Sequence, residues 1–298
     1  MKRIWTAALL AIMLLSACCP ACAESTPLIY RVTDAEGHRI YLLGTIHVGR
    51  EDMYPWSDAV EKAFEEADVL AVEVDIQNVT GNFVELIKYS VSLVYGLNDD
   101  AANHLSAETY QLGIEKLGYP EVLLKRMRPV AWYSLAEEYA YSLAGLSSDW
   151  GVDMQLLAKA KKANKKIEET ESLEAQMETL LALPDEVLDG QIREILSDPA
   201  SAAESVQWLA RIWQAGDQKL MEAMLSMGEA AGGDEGAYDE YNDTLIYSRN
   251  EGFEEQAKEY LRNGTVAMIA IGAFHIVGQD GLAARLARAG YTVEEIGR

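Results

Sequence analysis

Two short apolar runs of similar design stand near opposite ends of the chain. Tyr41-Leu-Leu-Gly-Thr-Ile-His-Val-Gly49 is of strand length and carries Gly44-x-x-His47. Val266-Ala-Met-Ile-Ala-Ile-Gly-Ala-Phe-His-Ile-Val-Gly278 is a second, with Gly272-x-x-His275. Continuous apolar runs of this length read as buried strands. Around them the pattern predicts a β-hairpin from 28–33 and 39–46, turning at Asp34-Ala-Glu-Gly37. Ser57 caps a helix whose Val60, Ala63, Phe64 and Ala67 recur at helical spacing. Val69-Leu-Ala-Val-Glu-Val-Asp75 is the next strand, and strand, helix, strand in succession points to an α/β arrangement.

From about 77 to 250 the periodicity is mostly helical. Helices are predicted over 107–117, over 122–144 with a kink or restart at Pro129, from Asp153 to 163, and over 173–182, 185–197 and 202–227. Asp153 reads as a helix N-cap, and 165–170 as a short strand. The acidic, glycine-rich stretch 228–239 reads as a mobile surface loop. A helix over 241–261, a turn at Asn263-Gly264, the strand before His275, a helix over 282–289 and a strand over 291–296 complete the chain. Strand-rich ends thus bracket a helical middle. The ends must pair with each other for a sheet to exist, which predicts a single domain over 24–298 with a large helical insertion.

Composition sharpens this. At 298 residues and 49% hydrophobic the chain can bury a large core. A formal net charge of -23 argues against a nucleic-acid partner. Residues 1–23 read as an export signal: Lys2 and Arg3 precede an apolar stretch from Ile4 to Leu15 that is short for a membrane span. Leu15-Ser16-Ala17-Cys18 has the pattern of a lipobox, which would leave Cys18 lipidated and the protein attached to a membrane surface. Ala21-Cys22-Ala23 offers an ordinary cleavage site, giving a secreted soluble protein; the lipobox, which abuts the apolar stretch, is preferred. All three cysteines, Cys18, Cys19 and Cys22, fall in this segment, so the body has neither a disulfide framework nor thiolate ligands.

Candidate chemistry rests on four histidines. His38 in the hairpin turn and His104 in a polar loop read as exposed and idle. His47 and His275, a matched pair after apolar strands, read as functional. Glu73 is a carboxylate inside an apolar run, expensive to bury unless paired. Near two imidazoles it would complete a two-histidine, one-carboxylate set suited to Mn, Fe, Co or Zn, with Asp75 as fallback. By spacing alone Arg249-Asn250 reads as a surface pair, and Glu168 to Glu171 as a mostly solvated acidic edge.

Together these segments resemble the TraB/GumN family, related to the TIKI proteins. The residues that carry the resemblance are Leu43-Gly-Thr-Ile-His-Val-Gly49, the strand from Ala67 to Asp75, Gly151-Val-Asp153, Glu171-Ser172 with Gln176, Trp213 with Gly216-Asp217, Arg249-Asn250, and Gly272 to Gly278 with Gly281-Leu282. The resemblance implies an α/β fold with a mixed central sheet flanked by helices. It implies a divalent-metal site with His47, Glu73 and His275 as ligands, lined by Glu171, Arg249 and Asn250. The animal branch is a Mn- or Co-dependent metalloprotease, a bacterial branch is linked to shutting down peptide pheromones, and the wider group includes a haem-binding lipoprotein and an esterase-like branch. The expectation is therefore an exported metal-dependent hydrolase acting on peptides or proteins. Glu171, or else Asp153, would take the proton of a metal-bound water, with Arg249 and the Asn250 amide donating to the oxyanion. The alternative is a non-catalytic surface lipoprotein that binds haem or a peptide with the same histidines, and a peptide-binding protein with a vestigial site ranks after it.

Overall fold

The apolar runs assemble into one mixed sheet. The structure, a computed structural model, describes residues 26–231 and 235–297; the expected leader, with both cleavage sites and the three cysteines, lies outside them. Its strands are β1 (Ile29–Thr33), β2 (Arg39–Thr45), β3 (Val69–Val72), β4 (Lys166–Glu169), β5 (Ala267–Gly272) and β6 (Thr292–Glu295), in the order β4-β3-β5-β2-β1-β6. β1 pairs antiparallel with β2 as the expected hairpin, and with β6 on its other side. β2, β3, β4 and β5 run parallel, so their carboxyl ends share one edge. The register sets Thr45 beside Gly272 and Val72 beside Ala270. The two ends of the chain thus meet at β2 and β5, as the sequence requires.

β5 is buried along almost its whole length, consistent with a parallel strand covered on both faces. The helical middle packs as its own layer. The Pro129–Ala144, Asp185–Ser197 and Ala107–Lys116 helices close round Trp132, Leu124, Ile192 and Leu196. The Pro199–Ala215 helix ties that layer to the sheet: Trp213 is 1% exposed and donates its indole N–H to the Gly44 carbonyl at 2.7 Å. Gly44 has no room for a side chain, because a Cβ there would stand 3.0 Å from the backbone of Ala273.

Several local expectations are corrected. β3 stops at Val72, so Glu73 and Asp75 lie beyond the strand rather than within it. The predicted 202–227 helix is two helices, Pro199–Ala215 and Gln218–Ala231, parted by Gly216 in the left-handed region. The predicted 228–239 loop is helical on both sides of residues 232–234. The 241–261 helix is interrupted by a π-helical stretch, Asp243–Tyr247, before Asn250–Asn263. Pro129 restarts a helix at its first position, as expected. The Val152–Lys162 helix is capped by Gly151, leaving Asp153 in its first turn with its side chain free for other work. No helix among the described residues is long and apolar enough to cross a membrane.

His104 is not idle. Its Nδ1 meets Asp185 at 2.7 Å and its Nε2 meets Asp99 at 3.0 Å, while the ring stacks on Tyr95 at 4.6 Å. It pins the 99–104 loop to the start of the Asp185–Ser197 helix. Its hydrogen bond to Asp99 and the nearby Asp185 push the imidazole above its ordinary 6.5. A raised folded value means the protonated form stabilises the fold below about pH 6.5, and that contribution fades as pH rises through the folded value. His104→Gln should therefore lower Tm by roughly 2–4 °C at pH 5.5 and by less at pH 9, as measured by calorimetry. A gap that does not shrink with pH would mean the ring acts through packing alone.

Candidate functional site

Four residues that follow the parallel strands converge on the shared carboxyl edge. Glu73 comes one residue after β3, His47 and Glu171 two after β2 and β4, and His275 three after β5. In parallel α/β sheets this edge is where ligands bind. A fifth residue, Arg249, follows the π-helical stretch Asp243–Tyr247 by two positions, at the start of the Asn250–Asn263 helix, and stands among them. π-helical turns recur at functional sites because they shift side chains out of the regular helical register.

Arg249 is the knot of the site. Its Nε and Nη2 grip Glu171 at 2.8 and 2.6 Å. Nη2 also donates to Glu73 Oε2 at 2.5 Å. Nη1 donates to the Leu245 carbonyl at 2.8 Å and meets His275 Nε2 at 3.1 Å. All five guanidinium N–H groups are therefore spent. The ion pairs are buried, with side-chain exposures of 10% for Arg249, 11% for Glu73 and 14% for Glu171. Glu73 also accepts the Gly272 amide at 2.7 Å. Burial opposes ionisation of Glu73, but the Arg249 guanidinium, the charge on His47 and the Gly272 amide outweigh it and hold the carboxyl below its ordinary range. Gln176 lies 3.5 Å from Glu73, long for a hydrogen bond.

The protonation of His275 follows from its partners. The Asp280 carbonyl can only accept, so Asn250 turns its Nδ2 to it, at 2.8 Å. That leaves Asn250 Oδ1 facing His275 Nδ1 at 2.8 Å, so Nδ1 carries the proton and Nε2 keeps a lone pair for Arg249. Burial pushes His275 down, to about 4, which agrees with a neutral ring. Asn250 is wholly buried with both ends of its amide engaged. It fixes the tautomer of His275 and, wholly buried with Nδ2 on the Asp280 carbonyl, presents no exposed side-chain donor to an oxyanion. The surface-pair reading of Arg249-Asn250 is overturned.

His47 is different. Its side chain is 70% exposed, and its Nδ1 meets Asp153 Oδ2 at 2.7 Å. The Asp153 carboxylate pushes the imidazole above its ordinary range, with solvent screening part of the effect. The charge of Glu73 also acts on His47. Gly151 permits this approach, since a Cβ there would meet the His47 carbonyl oxygen at 2.7 Å. Asp75, the fallback ligand, is elsewhere: it caps the Ile76–Gly81 helix and pairs with Lys161 at 3.0 Å. The rest of the acidic run is also occupied, Glu168 with Tyr260 and Lys166, and Glu169 with the Asp75 amide.

Among the described residues no three His, Asp or Glu side chains converge as a metal seat. The cation lying between Glu73, Glu171 and His275 is the Arg249 guanidinium. As arranged, then, His47, Glu73 and His275 do not fit a shared metal ion; they would do so only with Arg249 drawn away. Glu171, gripped at both oxygens by Arg249, is not free to act as a base either.

The family model for the TraB/PrgY/gumN family matches residues 28–295. The chain belongs to this family. It is 25% identical over 251 residues to the uncharacterized protein YbaP of Escherichia coli (strain K12), a match spanning 84% of this chain and 89% of that one. It is 25% identical over 242 residues to YbaP of Shigella flexneri, spanning 81% and 85%. No solved structure gives a significant match.

Removing the knot should be costly. Arg249→Met leaves two buried carboxylates unpaired and should reduce the unfolding free energy by about 3–5 kcal/mol in urea titrations at pH 7. Adding Glu73→Gln or Glu171→Gln should return part of it. A single variant as stable as the parent would show that the acids reach solvent without the guanidinium.

Proposed function

We propose that this family member is an exported hydrolase acting on peptides or proteins, with His47 as its proton-transfer group. The observation that carries the reading is the exposed imidazole held through Nδ1 by Asp153 at 2.7 Å, on the carboxyl edge of four parallel strands. Asp153 on Nδ1 raises the imidazole, so the base is its neutral form, favoured toward alkaline pH, whose Nε2 takes a proton from a water attacking the scissile carbonyl and then returns it to the departing amine. Asp153 stabilises the imidazolium in between. Glu73, Glu171, Arg249, Asn250 and His275 form the rigid floor beside it, so Asn250 and the acids act by positioning. The test is a peptide-library cleavage screen with residues 24–298. His47→Ala should lower cleavage by at least ~10³-fold and Asp153→Asn by ~10²-fold or more. Full activity in His47→Ala would remove this assignment.

A second reading has its own supporting observation. Both histidines have Nδ1 tied to an oxygen acceptor, so in each neutral ring Nε2 is the nitrogen left for a ligand, the usual arrangement of imidazole ligands. On this reading a divalent ion, Mn, Co, Fe or Zn, is held by His47, Glu73 and His275. Elemental analysis after incubation with each ion and dialysis decides. About one equivalent in the parent and none in a His47→Ala, His275→Ala double variant would favour this reading; none in either would leave the histidine–aspartate one. The same preparation without a Soret band on adding haem would dispose of the haem-binding alternative.

A further inference from the structure

One helix beside the carboxyl edge has an apolar face that no described residue covers. The Phe83–Ser92 helix follows Glu73 by way of the short Ile76–Gly81 helix, and none of its residues is buried. Its inner side sets Tyr89 and Leu93 against Val74, Val79, Leu173 and Met177. Its outer side carries Phe83, Ile87 and Val91 at intervals of four, with Val84 beside them. Phe83 is 74% exposed, Val84 59% and Val91 62%. The apolar surface continues past the helix. Val94 bridges Met127, and Arg126 donates to the carbonyls of Gly96 and Asp99. The turn that exposes Leu97 therefore adjoins the one that exposes Val122 and Leu123. Apolar side chains scattered singly over a surface need no partner, but a continuous set of them marks an interaction face.

Charge narrows what that partner is. Charged residues make up 24% of the chain, yet residues 76–98 hold only Glu85 and Lys88, which pair with each other at 2.9 Å. The face offers no charge to a partner. The whole chain carries a formal net charge of -23, which repels a second copy and an anionic membrane alike. A zwitterionic lipid surface meets neither objection. An amphipathic helix lies in such an interface with its apolar side at the acyl boundary.

The place where the described chain begins points the same way. The Thr26 amide donates to the Gln214 carbonyl, and the Leu28 carbonyl accepts the Gly44 amide at 3.2 Å, near the end of β2. The chain thus enters the fold at the carboxyl edge. β1 and β3, which leads into the apolar helix, are three steps apart in the order β3-β5-β2-β1, roughly 14 Å at the usual strand spacing. The eight-residue step from Cys18 to Thr26 can span no more than about 29 Å. On the lipobox reading, a lipid at Cys18 therefore keeps this edge within that distance of a membrane, and the apolar helix with it.

We propose that the outer face of the Phe83–Ser92 helix, with Leu97, docks into the interface of a zwitterionic lipid surface. Docking would hold the His47 edge beside the lipid, where membrane-bound substrates are met. The proposal shares with the proposed function only the export of the protein. Its test reads lipid contact and not hydrolysis, so either can fail alone.

Every element of the fold lies within residues 24–298, which contain no cysteine, so one introduced cysteine gives one label. An environment-sensitive fluorophore is attached through Ile87→Cys or, as control, through Glu36→Cys in the hairpin turn at the opposite edge. The protein is tethered by an amino-terminal histidine tag to phosphatidylcholine vesicles holding nickel-chelating lipid, with and without nitroxide-labelled acyl chains. The Ile87 probe should shift to the blue and be quenched by the nitroxides, and the Glu36 probe should do neither. Phe83→Ser with Val91→Ser, both at exposed positions, should lower the ratio of docked to undocked protein about tenfold or more. No quenching at Ile87, equal quenching at Glu36, or quenching untouched by the double variant would overturn the docking. So would a blue shift at Ile87 that grows with protein concentration without vesicles, which would assign the face to a second copy.

Discussion

One buried guanidinium holds the edge of the sheet together. Arg249 lies 176 residues from Glu73 and 78 from Glu171 in sequence, yet it joins the segments that follow β3, β4 and β5 in one set of five hydrogen bonds. A buried ion pair contributes little net stability when complete and costs much when one partner is lost. Its value here lies in specification. Only the observed order of strands, together with the π-helical stretch, brings two carboxylates, a carbonyl and an imidazole to the five N–H vectors of one planar group. Any slip in the register of β3 or β4 would leave a charge stranded, so the electrostatics of the site also police the fold.

The likeness of the two Gly-x-x-His segments conceals a division of labour. Both follow parallel neighbours in the same sheet, but β5 is flanked on both sides by parallel strands, and the short Ala273–Ile276 helix folds His275 inward, where it is 5% exposed. β2 lies farther from the acids, and its continuation leaves the His47 ring in solvent. The inner ring is therefore locked as a neutral acceptor through Asp280, Asn250 and Arg249. The outer ring keeps one nitrogen free and a carboxylate on the other. An internal duplication that preserved function would give two equivalent rings, and the hydrogen bonds here make them unequal.

These pairings explain what could be read in the sequence. The strands and the two histidines were legible because apolar runs of strand length, ending in glycine and histidine, leave few places to put them. That Glu73 needs a partner was legible, since a carboxylate in an apolar run demands one, although chain topology decides that the partner is Arg249. Asp153 was misread because a carboxylate in the first helical turn looks the same whether it caps the helix or reaches across to His47. The π-helical stretch leaves no mark at all, because it shifts the register of a helix without changing its composition.

The two readings of the floor differ in where Arg249 stands. For an ion to take the His275 Nε2 lone pair and a Glu73 oxygen, Arg249 must give up its bonds to both while still held by Glu171 and the Leu245 carbonyl. The guanidinium and a divalent ion are thus competing cations for one acidic seat. Apparent metal affinity would be reduced by the fraction of molecules in which Arg249 remains seated. Weakening the grip of Glu171 on Arg249 should then change metal affinity even though Glu171 is no ligand in that scheme. Such coupling separates a true exchange of cations from a floor that only ever holds its own arginine.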